Sequence, residues 1–89
     1  MNLIEDKMNS AIYSTCDTPF AAWLIASGKL QYRGSESRGR KIYFRFEDPN
    51  GQGFDLSLEF ETGALVRATS YFRALSSLHR TIRETGGAR

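Results

Sequence analysis

The spacing of apolar residues changes period several times along the chain, and each change predicts an element. Phe20, Trp23, Leu24 and Ser27 fall on one helical face, with Ala21, Ala22 and Ala26 as strong helix formers between them. Thr18 is placed to cap this helix, and Pro19 suits the first helical position, where a missing N–H costs nothing. Gly28 can take the left-handed conformation that closes it. The period then drops to two. Leu30-Gln31-Tyr32-Arg33 and Lys41 to Glu47 alternate apolar with polar, on either side of a Gly-, Ser- and Arg-rich stretch, residues 34–40. This pattern predicts an antiparallel β-hairpin. Ile42, Phe44 and Phe46 belong to its core face with Leu30 and Tyr32, and Lys41, Tyr43, Arg45 and Glu47 belong to the other. Asp48-Pro49-Asn50-Gly51 then reads as a turn.

Residues 54–61 carry two readings. Phe54, Leu56, Leu58 and Phe60 alternate almost perfectly, which favours a third strand, whereas a short helix would bring Leu56 and Phe60 together at i, i+4. Farther on, Phe72, Leu75, Leu78, His79 and Ile82 recur at helical spacing from about Ala68 to Glu84, and Gly86-Gly87 ends the pattern. Arg73, Arg80 and Arg83 lie mainly off that stripe. No repeat or low-complexity tract interrupts the chain. The expected organisation is an arm over residues 1–14, a single domain over 15–84 and a disordered tail over 85–89.

At 89 residues, 40% hydrophobic and 25% charged, the chain suits one core near the lower limit of autonomous folding. Ten of its aromatics lie between Phe20 and Phe72, with Tyr13 alone outside. Burial of those rings must supply the stability, because the single cysteine, Cys16, excludes an intramolecular disulfide and a cysteine-rich zinc site. Modest stability is expected, and association with a partner would add to it. No apolar run approaches the roughly 20 residues that span a bilayer. The first residues include Glu5 and Asp6 and lack the pattern of a secretory signal, so a cytoplasmic protein is expected.

The net charge of +2 conceals a blocked distribution. Lys29, Arg33, Arg38, Arg40, Lys41 and Arg45 oppose only Glu36 and give +5; Glu47, Asp48, Asp55, Glu59 and Glu61 give −5; Arg67, Arg73, Arg80 and Arg83 give +4. Such runs ordinarily form solvated or self-neutralised surface. Arginine outnumbers lysine nine to three, and its planar fork suits bidentate contact with carboxylate or phosphate.

No recognisable catalytic arrangement is present. Cys16 and His79 are the only thiol and imidazole, and neither lies in a nucleophile motif. A buried Cys16 ahead of the first helix and a partly buried structural His79 are expected instead. One His and one Cys do not make a zinc ligand set, and the carboxylates lack calcium-loop spacing, so neither metal nor cofactor is expected. Gly51-Gln52-Gly53 begins a glycine-rich phosphate pattern without completing it and reads as turn glycine. Arg38-Gly39 followed by Ile42 to Phe46 partly parallels the aromatic strand of RNA-recognition motifs, but Arg40 and Lys41 break the match. What survives is a candidate interaction surface: Arg33, Arg38, Arg40, Lys41, Tyr43 and Arg45 on the hairpin, with Arg73, Arg80 and Arg83 on the final helix.

From Tyr13 to about Ile82 the chain resembles a family of short domains of unknown function found in bacterial, prophage and bacteriophage genomes. The resemblance is carried by Tyr13-Ser14-Thr15-Cys16-Asp17, the Ala21-Ala22-Trp23-Leu24 helix with its closing Gly28, and the basic and aromatic strand Lys41 to Asp48. Leu58-Glu59-Phe60 with Gly63, then Val66 leading into Tyr71 to Leu78, complete it. It implies a small α+β domain of helix, hairpin and further helices, with residues 54–61 helical. Ser57 and Thr62 are indifferent helix formers and Arg67 a poor helix start, which keeps the strand reading of 54–61 open. The family brings no catalytic residues. The expected function is a non-enzymatic protein-interaction module, phage or mobile-element associated, that binds a host or self protein, including a homodimer. The alternative is a nucleic-acid-binding accessory that uses the Arg-rich hairpin and final helix.

Overall fold

The computed structural model describes residues 11–85. They form a small α+β domain: strand β1 (Ile12–Thr15), helix α1 (Thr18–Ser27), strands β2 (Gln31–Arg38) and β3 (Lys41–Glu47), and helices α2 (Gly53–Glu61) and α3 (Ala68–Thr85). The strands make one antiparallel sheet in the order β1-β3-β2.

Strand β1 begins inside the stretch expected to be an arm and ends one residue beyond it. It is too short to declare a period of its own, and its conformation comes from pairing with β3, with Tyr13 opposite Phe46 and Thr15 opposite Phe44. Residues 1–10 of that arm and 86–89 of the tail lie outside the described residues. The hairpin is also longer than expected. Residues 34–38 continue β2, with an irregularity between Tyr32 and Ser35, and Arg38 pairs with Lys41 across a two-residue turn of Gly39 and Arg40. Serine, glycine and arginine have little strand propensity, so β3 supplies the template. The predicted faces hold: Phe44 and Phe46 are buried, Ile42 is half-buried, and Tyr32 packs on Phe46 at 5.4 Å between ring centroids, the planes tilted by 52°.

The cap of α1 is Asp17, one residue before the predicted Thr18. Its Oδ1 accepts from Phe20 N at 3.2 Å, which places Thr18 and Pro19 as the first two helical residues. Gly28 closes the helix at φ 72°, donating its N–H to the carbonyls of Leu24 and Ile25. Five consecutive residues, Phe20 to Leu24, are buried, so α1 is apolar all round rather than on the single predicted face. The sheet, α2 and α3 surround it.

Residues 54–61 resolve as helix. The reason lies upstream, in Asp48, whose buried carboxylate accepts from Gln52 N at 2.7 Å and Gly53 N at 2.8 Å. Two amides that a helix start leaves unpaired are thereby satisfied. Leu56 and Phe60 turn inward together, Phe60 to 5.6 Å from both Phe20 and Trp23, while Phe54 and Leu58 turn to solvent. In α3 the inward stripe is Tyr71, Ala74, Leu75, Leu78 and Ile82. Phe72 and His79, both assigned to that stripe from sequence, are exposed. A helix turns about 100° per residue, which puts them some 120° and 100° from Leu78, together on one flank. Among the described residues, no helix is long and apolar enough to cross a membrane.

Candidate interaction surfaces

Strand alternation brings five of the nine candidate residues to the outward face of the sheet, Lys41 at its edge beside the hairpin turn. Tyr43 and Arg45 project from β3, and Arg33 and Arg38 join them from β2. The extension of β2 also places Glu36 directly opposite Tyr43, in the middle of the group. Glu36 Oε1 lies 3.3 Å from Arg38 Nη2 and 3.8 Å from Arg45 Nε. The Arg38 guanidinium also sits 4.4 Å from the centroid of the Tyr43 ring. At the other end of the face Arg33 Nε lies 3.6 Å from Glu47 Oε2. The hydrogen bond from Arg38, with the charges of Arg38 and Arg45, holds the Glu36 carboxyl below its ordinary value, and the same hydrogen bond raises the Arg38 pKa.

These contacts change what the first basic block can do. Lys29 pairs with Glu59 at 3.8 Å, so four of the six cations between Lys29 and Arg45 face a carboxylate. Tyr43, the one candidate stacking ring on the hairpin, already carries a cation over one face. The predicted basic and aromatic patch exists as a surface, but much of its charge is answered within the chain.

Arg40 and Lys41 behave differently. They sit at the hairpin turn and line an open cavity of about 370 Å³ with Cys16, Thr18, Ile42 and Ile82. Cys16, expected to be buried, is exposed there. His79 does not line this cavity, so the only thiol and the only imidazole are not brought together. Among the described residues no group of three or more His, Cys, Asp or Glu side chains is placed to hold a metal ion.

Arg73, Arg80 and Arg83 are exposed on α3. Among the described residues none of them has a carboxylate within 4.0 Å, and the same holds for Arg67. The structure also exposes large apolar residues: Phe54 at 69%, Leu58 at 49% and Phe72 at 68%, which the sequence pattern places on inward faces, and Leu65 at 92%, which it leaves unassigned. All four come from α2, α3 and their connection. The signal for two of them was present, because a helix that buries Leu56 and Phe60 must turn Phe54 and Leu58 outward. Leu65 lies in an aperiodic connection and gave none. In comparisons with known proteins, no family model, no curated protein and no solved structure matches the chain.

Proposed function

We propose that this chain is a non-enzymatic protein-interaction module, of phage or mobile-element type, that binds a host or self protein through the apolar residues left exposed on α2, α3 and the connection between them. The observation that carries this reading is the concentration of four large exposed apolar side chains between Phe54 and Phe72, beside a core that already buries Trp23, Phe44, Phe46, Leu24 and Leu78. Single exposed apolar residues are ordinary, but Phe54 and Leu58 stand one turn apart on the same face of α2, and adjoining exposed apolar residues mark interaction sites. Partner association would also offset the modest burial available to so small a domain.

The second reading, a nucleic-acid accessory, draws on Arg73, Arg80 and Arg83, which have no carboxylate within ion-pair distance among the described residues. The ion-paired state of Arg33, Arg38 and Arg45 counts against the hairpin half of that surface.

One experiment separates the two. The immobilised chain, offered a nuclease-treated host extract, should retain a protein identifiable by mass spectrometry, and a Phe54→Ser, Phe72→Ser variant that melts like the parent should lose it. If the variant retains it equally, the proposed surface is wrong. Binding of short DNA or RNA that falls steeply with salt, and is lost on replacing Arg73, Arg80 and Arg83 with alanine, favours the second reading.

A further inference from the structure

We infer that the partner is a second copy of this chain, docked so that α2 of each copy lies against α3 of the other. This rests on the protein-interaction reading and names the occupant of its surface.

The two helices carry complementary faces that the chain does not use internally. On α2, Asp55, Leu58 and Glu61 succeed one another at steps of three residues, and Phe54 falls between Leu58 and Glu61 in angle. This acidic and apolar face points directly away from the buried Leu56 and half-buried Phe60. On α3, Arg73, Arg80 and Arg83 fall within about 80° of one another, opposite the inward stripe, and Phe72 borders them. Helix α2 has three acids and no base; α3 has three arginines and one acid, Glu84. Along the axes the charges are similarly spaced, Asp55 to Glu61 spanning about 9 Å and Arg73 to Arg80 about 10.5 Å.

Among the described residues Asp55 and Glu61 have no cation within 4.0 Å, and the three arginines have no carboxylate; only Glu59 of α2 is engaged, with Lys29. Each charged set therefore adjoins an exposed ring and lacks an intramolecular partner. A twofold dimer satisfies both sets at once, since the contact of α2 with α3 is then made twice, once in each direction. Opposite charges fix the partner and the register while the rings are covered.

The test uses the full chain and two charge-reversal variants. Wild type should sediment with twice the 10.0 kDa mass of one chain, and its association should weaken roughly tenfold or more between about 0.05 M and about 0.5 M salt. Asp55→Lys with Glu61→Lys makes both faces basic, and Arg73→Glu with Arg80→Glu makes both acidic, so each variant alone should be monomeric with an unchanged melting curve. Mixed in equal amounts they should form a heterodimer, because both contacts again join opposite charges. Wild type that stays monomeric at all concentrations, variants that dimerise as wild type does, or a mixture that stays monomeric would overturn the inference. If wild type is monomeric yet still retains a host protein through Phe54 and Phe72, only the second-copy partner falls. If that retention is absent too, the protein-interaction reading falls with it.

Discussion

The ring of Tyr13 lies so close to the Cα of Gly53 that a Cβ on residue 53 would overlap the ring carbons Cγ, Cδ1 and Cε1. Glycine is required here by proximity, where β1 meets the start of α2. In an ordinary helix, alanine in place of glycine would gain about 0.5–1 kcal/mol. Gly53→Ala should instead destabilise by about 1–3 kcal/mol in urea unfolding, because the root of an aromatic side chain cannot swing aside cheaply. In a Tyr13→Ala background the same substitution should cost nothing, and an undiminished cost there would show that the contact is not its source.

Asp48 anchors the same corner. With both carboxylate oxygens accepting backbone N–H groups of the α2 start, Asp48→Ala should cost about 2 kcal/mol, and Asp48→Asn, which keeps one acceptor oxygen, distinctly less. Equal losses from the two variants would mean that the carboxylate is not holding the helix. Urea midpoints at constant m-value report the difference.

Trp23 is 1% exposed, and its Nε1–H has no acceptor among the described residues. Trp23→Phe therefore loses area but also removes a buried donor that costs about 1–3 kcal/mol to leave unpaired. It should be close to neutral, whereas Trp23→Ala should cost about 3–5 kcal/mol. A phenylalanine variant as damaged as the alanine one would indicate that the indole N–H is satisfied.

Two phenols should respond to alkali. Burial pushes the pKa of Tyr13 above its ordinary value of 10.0, reinforced by the negative charges of Asp17 and Asp48. Burial likewise raises that of Tyr32, partly offset by its hydrogen bond with Ser35. A raised folded-state value means that the folded protein keeps the proton longer. The corresponding stability is whole below about pH 10 and is lost as pH rises through the folded-state values. Tyr13→Phe and Tyr32→Phe should each flatten the fall of stability above that pH. An unchanged slope in both would refute the assignment.

The sign reverses for Glu36. Its carboxyl is held below its ordinary value of 4.5, chiefly by the hydrogen bond from Arg38. Its contribution is present above that value and fades as pH falls through the lowered one. Carboxyl NMR should show Glu36 titrating early in wild type and returning upward in Arg38→Ala. No movement on that substitution would place the perturbation elsewhere.

Local pattern made the two faces of β3, the span of α3 and the glycine end of α1 legible, because each depends on residues close in sequence. Tyr13 was not legible as a strand residue, since its conformation depends on Phe46, far along the chain. The choice for residues 54–61 depended on Asp48, read from sequence only as part of a turn. For the surface, alternation alone united Arg33, Tyr43 and Arg45. The neutralisation of Arg38 and Arg45 required Glu36 to stand opposite Tyr43, and a loop reading of residues 34–40 concealed that pairing. Phe72 and His79 fall outside the buried stripe because the geometry centres it on Leu78, with the small Ala74 one turn away.

Helix α3 supplies the last wall around α1, and its Leu78 is among the largest fully buried side chains. Until α3 has left the ribosome, α1 has no completed enclosure to enter, and its five buried positions face water or a chaperone. Maturation of this domain accordingly waits on its last helix. A nonsense codon anywhere before Leu78 should yield a degraded product rather than a shorter functional one.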